Sequence, residues 1–163
     1  MYTGTYRIAG RSIAIESLYP DVHAYCAAYR HAGEPDFTIR ITPADIDRER
    51  DKSAREDQRQ GIAPRAFPEG YLEELAVYRQ IADRMPAYDT LLIHGSAIAL
   101  DGAAYLFTAR SGTGKSTHTR FWRQTFGSRA VMINDDKPLV GLTDAGAVIY
   151  GTPYNGKHRL GEN

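Results

Sequence analysis

Two apolar runs, Ala97-Ile98-Ala99-Leu100 and Ala103-Ala104-Tyr105-Leu106-Phe107, are joined by Asp101-Gly102, and the second leads into Ala109-Arg110-Ser111-Gly112-Thr113-Gly114-Lys115-Ser116. An Asp-Gly pair between apolar runs predicts a tight hairpin, because a type I′ turn needs positive φ at both central residues. The glycine-rich octet after the hairpin must be loop. Residues 117–126, with Phe121 and Trp122, have the composition of a helix. Strand, loop and helix in that order restrict this half of the chain to an α/β arrangement.

A loop of this kind can hold a chain of phosphates. Successive backbone N–H groups point inward around a tight turn that feeds a helix N-terminus, where the helix dipole also favours negative charge. Gly112 and Gly114 let the main chain come close, Lys115 reaches the β and γ oxygens, and Ser116 offers a hydroxyl to Mg²⁺. Ser111, Thr113 and Thr117 complete the expected cradle. Ala109 stands where the usual pattern begins with Gly, a mild departure at a position that mainly has to be small. Downstream, Ala130-Val131-Met132-Ile133-Asn134 reads as a strand ending in Asp135-Asp136, and in phosphate-loop enzymes a strand beside the loop strand brings a carboxylate to the metal. Alternation predicts that one Asp faces the metal, leaving the other available as a base. The expected ligands are therefore ATP and Mg²⁺. His94, after Leu91-Leu92-Ile93, reads by itself as a structural histidine, and Gly151-Thr152-Pro153-Tyr154-Asn155-Gly156-Lys157-His158-Arg159 as a loop rich in donors.

Composition sets the remaining bounds. Twenty Lys and Arg balance twenty Asp and Glu over 163 residues, so no net field draws the chain to nucleic acid or to an anionic membrane. No run approaches a membrane span, the N-terminus lacks a signal-peptide core, and the single cysteine, Cys26, points to a reducing, cytoplasmic setting.

Residues 1–86 read as a small strand-and-helix module and 87–163 as the nucleotide-binding core. In the module, alternation predicts a hairpin turning at Gly10-Arg11, a helix over 21–31 capped by Asp21, and a strand over 37–41. Residues 45–59 carry six acidic and five basic side chains and read as a solvated helix or a charged linker. Residues 71–85 predict a helix with Leu72, Leu75, Tyr78, Ala82 and Met85 inward and Glu73, Glu74, Arg79 and Asp83 outward, ended by Pro86.

Ile93-His94-Gly95, the hairpin, Ser111-Gly112-Thr113-Gly114-Lys115-Ser116 and Asp135-Asp136 together resemble the catalytic core of HPr kinase/phosphorylase and its relatives. These share a fold with ATP-dependent phosphoenolpyruvate carboxykinase, and the resemblance covers roughly residues 91–140. It implies an α+β mixed sheet around a phosphate loop, with His94, Lys115, Ser116 and Asp136 functional and Asp136 taking the proton of a serine hydroxyl. Asp135 would join Ser116 on Mg²⁺. The implied activity is transfer of the ATP γ-phosphoryl group to a hydroxyl-bearing peptide, small protein or small molecule, with oligomerisation left open. Family kinases carry a metal-binding Glu after the paired Asp, whereas residues 148–159 hold no acidic side chain. The family also implies further strands and a C-terminal helix after Arg159, so the expectation is a fragment or a truncated relative. Two other readings stay open: an ATP-binding or sensing module without turnover, and a carboxykinase-like enzyme, for which no arginine set stands out in the sequence.

Overall fold

The computed structural model describes residues 1–156 and is of the α+β class. The chain divides into two compact units, Met1–Asp83 and Arg84–Asn163.

In the first unit, β1 (Tyr2–Ile8) and β2 (Arg11–Ser17) form an antiparallel hairpin, and β3 (Phe37–Arg40) joins β2 in parallel. The turn falls on Ala9 (φ 48°) and Gly10 (φ 77°), one residue earlier than the sequence predicts, so that Arg11 pairs with Ile8. Inward positions Tyr6, Ile8, Ile13, Ile15 and Ile39 are buried, as the two-residue period of a strand requires. The helix predicted over 21–31 is broken into α1 (Asp21–Tyr25) and a 3₁₀ turn, Ala27–Tyr29. Pro20, not Asp21, takes the capping position. The tighter 3₁₀ winding stacks residues three apart, which keeps Cys26 and Tyr29 on the buried side. Burial pushes the Cys26 thiol up to about 12, the property of an inert filler.

The charged stretch is a full helix, α2 (Pro43–Arg59), and not a linker. Thr42 and Asp45 form a capping box at its start, with Pro43 in the first turn. Three of its carboxylates meet arginines from beyond the helix, while Asp47, Asp51 and Glu56 stay exposed. Glu49 accepts from Arg79 Nε at 2.6 Å, Asp45 from Arg79 Nη2 at 3.3 Å, and Asp57 from Arg65 Nη2 at 2.6 Å. α3 (Glu69–Arg84) buries Leu72, Ala76, Val77 and Ile81, so its inward face is rotated from the predicted stripe and leaves Leu75, Tyr78 and Ala82 half-buried. Glu73, predicted to be solvated, is 0 % exposed and accepts the N–H groups of Leu18 (2.6 Å) and Tyr19 (2.9 Å). Burial raises its carboxyl above the usual range, against the pull of those two amides.

His23 of α1 makes this unit sensitive to acid. The Ser17 hydroxyl donates to the Tyr19 carbonyl (2.7 Å), so His23 Nε2–H donates to Ser17 Oγ (2.8 Å) and Nδ1 accepts from Tyr6 O–H (2.6 Å). Burial, with Arg30 nearby, lowers the imidazole below its ordinary value. A lowered histidine contributes stability that is complete above its unfolded value of about 6.5 and is lost as pH falls through the lower folded one. The denaturation midpoint of the first unit is expected to fall between about pH 7 and pH 5. In His23→Gln the slope over that range flattens; an unchanged slope would remove His23 as its cause.

The second unit holds two antiparallel sheets. One, in the order β4-β8-β9, consists of β4 (Thr90–Leu92), β8 (Leu139–Thr143) and β9 (Gly146–Tyr150). The other, in the order β6-β5-β7, consists of β5 (Ser96–Leu100), β6 (Ala103–Phe107) and β7 (Ala130–Asn134). The only mixed sheet among the described residues is therefore that of the first unit. Asp101 (φ 51°) and Gly102 (φ 84°) make the predicted hairpin turn. β5 lies between β6 and β7, so the carboxylate strand is not directly beside the loop strand as the sequence suggests. Because β5 is antiparallel to both, β6 and β7 run the same way and end on the same side. α4 (Lys115–Phe126) covers this sheet through Trp122, whose ring lies 5.0 Å from Tyr105, 5.3 Å from Phe107 and 5.6 Å from Phe126. Among the described residues no helix is long and apolar enough to cross a membrane.

Candidate functional site

The hairpin delivers residues 108–114 to the start of α4. Gly112 (φ 80°) and Gly114 (φ 93°) adopt left-handed backbone, and a Cβ on Gly112 would meet nothing within 4 Å, so conformation rather than crowding selects glycine there. Gly114 is also the N-terminal cap of α4, with no side-chain cap and no acidic residue in the first turn. The helix ladder opens with His118 N–H on the Gly114 carbonyl at 2.9 Å, ahead of which the N–H groups of residues 115–117 have no intrahelical acceptor. Lys115 Nζ donates to the carbonyls of Ala109 (3.0 Å) and Arg110 (3.3 Å), which pins its ammonium across the mouth of the loop.

At the matching end of β7, a register shift opposite Ala97 and Ile98 leaves Ile133 as an extra residue. Such a bulge bends the strand and re-aims the residues beyond it. Asp135 then accepts from the Ser96 hydroxyl at 2.7 Å, and Ser96, 0 % exposed, lies 2.9 Å from Thr119 Oγ1 of α4. Asp136 has His94 Nε2 at 3.4 Å from one carboxylate oxygen and Lys137 Nζ at 2.8 Å from the other. The main chain ties the same segments, since Gly95 N–H donates to the Asp136 carbonyl at 3.0 Å. The fold thus brings together His94 and Asp136, which are far apart in the sequence.

These residues face one pocket of about 550 Å³. His94, Ser111, Gly112, Gly114, Lys115, Ser116, Thr117, Asp135 and Asp136 line it, and Thr113 lies in the adjoining groove. The described residues contain no group of three or more His, Cys, Asp or Glu placed to hold a metal. The Ser116 hydroxyl and the Asp135 carboxylate are hard oxygen donors, which suit a Mg²⁺ that keeps several waters and takes its other ligands from phosphate. The residues present fit that ion.

Sequence reasoning missed the polar supports. Asn134 Oδ1 accepts the N–H groups of Asp136 (2.9 Å) and Lys137 (2.7 Å), and Asn155 Oδ1 accepts that of Asp135 (3.0 Å). Thr152 joins the two segments, accepting from Asn134 Nδ2 at 3.0 Å and donating to the Lys137 carbonyl at 2.9 Å. The available signal was a polar side chain at the end of each apolar strand, Ser96 opening β5 and Asn134 closing β7. Arg120 and Arg123, three apart on α4, also converge on a smaller pocket of about 290 Å³ that shares Ser116, Thr117 and Asp135 with the first. Their spacing alone does not mark them as an arginine set in the sequence. Lys157, His158 and Arg159 lie outside the described residues.

Neither protein-family models nor curated proteins match this chain.

Proposed function

We propose that the chain binds a nucleoside triphosphate with Mg²⁺, ATP by the resemblance, and transfers the γ-phosphoryl group to a hydroxyl, with serine on a peptide or small protein as the favoured acceptor. One observation carries this reading: Lys115, Ser116, Asp135, Asp136 and His94, from separated stretches of sequence, share a pocket at the uncapped N-terminus of α4. The strand-loop-helix order and the common direction of β6 and β7 support an HPr kinase-like phosphate-loop fold.

In the transfer, the bond from the γ-phosphorus to the bridging oxygen breaks while a bond to the acceptor oxygen forms, and the acceptor's proton passes to Asp136. Lys115 and the N–H groups that open α4 stabilise the charge gathering on the departing diphosphate. Ser116 and Asp135 would hold Mg²⁺, which when bound neutralises phosphate oxygens. His94, 3.4 Å from Asp136, orients that carboxylate. Arg120 and Arg123 favour an acceptor that carries an anionic group near its hydroxyl.

A second reading, nucleotide binding without transfer, draws on the Asp136 carboxylate having both oxygens engaged, one by Lys137 and one by His94. Mg²⁺ and ATP at about 100 times Kd should raise the thermal midpoint of wild type by about 5 °C or more. No shift in a folded sample would overturn both readings. With γ-labelled ATP and serine-bearing peptides, transfer by wild type that is lost in Asp136→Asn, with the thermal shift kept, supports the kinase. A shift without transfer supports the sensor.

A further inference from the structure

A second groove adjoins the phosphate pocket on the side away from the paired carboxylates. It has a volume of about 680 Å³, within the ~300–1,000 Å³ usual for small-ligand sites, and its walls include Leu106, Phe107, His118 and Phe121. We propose that this groove is the nucleobase site. The inference rests on the phosphate-loop reading above and names where the rest of the ligand goes.

The two spaces are continuous, since Gly114, Lys115 and Thr117 line both. A nucleotide whose terminal phosphates lie toward Asp135 and Asp136 therefore leaves the loop past Thr117 and enters the groove. Topology agrees. In the order β6-β5-β7, the carboxylate strand lies on one side of β6, and the other edge of β6 has no strand partner among the described residues. The base end of the ligand is thus directed to the open side.

The groove also has a platform of the right chemistry. Phe107 and His118 are committed to the ring cluster around Trp122, with centroids 4.6 Å apart. Phe121, one turn beyond Thr117, is 53 % exposed. Arg120 stands 5.5 Å from its centroid and can cover only one face of the ring. An aromatic face beside a phosphate site attracts a heterocyclic base by stacking, and stacking is tolerant of which base is offered.

Affinities of ATP and of inorganic tripolyphosphate, each with Mg²⁺, are measured for the full chain and for Phe121→Ala and Phe121→Trp. The expected result is ATP bound more tightly than tripolyphosphate by wild type, and ATP weakened about tenfold in Phe121→Ala with tripolyphosphate unchanged. Phe121→Trp should keep ATP affinity. Wild-type-like ATP binding by Phe121→Ala, or an equal loss of both ligands, would overturn the base site while leaving the phosphate loop standing. Failure of wild type to bind either ligand would instead overturn the phosphate-loop reading, and the base site with it.

Discussion

Lys115→Ala is expected to lower phosphoryl transfer by about 10²- to 10³-fold, the usual cost of losing one preorganised donor to developing charge. Its stability should stay near that of wild type. The ammonium hydrogen-bonds to the exposed loop carbonyls of Ala109 and Arg110, so truncation leaves no buried group without a partner. Transfer rate, nucleotide affinity and thermal midpoint, measured on the same preparation, separate the two effects. An unchanged rate and affinity would remove the loop from the site, and a large fall in midpoint would make the lysine structural.

The largest effect on stability should come from Arg79→Met in the first unit. Arg79 bridges Glu49 at 2.6 Å and Asp45 at 3.3 Å, and the Glu49 side chain is only 3 % exposed. Removing the cation leaves the buried Glu49 carboxylate facing an apolar chain, a change that costs about 3–5 kcal/mol in fully buried pairs. Arg79 is itself partly open to water, which reduces the expected loss to about 2–3 kcal/mol. Chemical denaturation followed by circular dichroism reads this directly. Replacing Glu49 as well, with Gln, should recover part of the loss, because the stranded charge is then gone. A single variant as stable as wild type would show that the α2 charges behave as a solvated surface.

That contrast shows what the sequence could carry. Elements built on local signals are legible: the Asp101-Gly102 turn, the alternation of β2, and the glycine-rich passage from β6 into α4. Each depends on residues close in the chain, so periodicity and turn chemistry determine it. Misjudged positions depend on distant partners. Glu73 reads as solvated until Leu18 and Tyr19 supply N–H groups to its carboxylate from another segment. The same holds for α2, where a balanced charge count says nothing about which carboxylates meet an arginine. In the candidate site, the octet and the paired Asp stand out by residue type. The Ile133 bulge and the supports Ser96 and Asn134 do not, since their role depends on how β5 and β7 pair, and Asn155 reaches Asp135 from the loop after β9.

Asn134 and Asn155 decide what the neighbouring carboxylates are free to do. An aspartate next to a turn commonly folds its side chain onto nearby backbone N–H groups and satisfies its oxygens locally. Here the N–H groups of residues 135, 136 and 137 are all taken by asparagine oxygens. That local escape is closed, so Asp136 turns to the side chains of Lys137 and His94, and the Asp135 carboxylate, which accepts from the neutral Ser96 hydroxyl, keeps its charge for a cation at the pocket. The ordering of the turn is completed when the chain folds, and an arriving ligand meets a surface whose conformational entropy has already been removed.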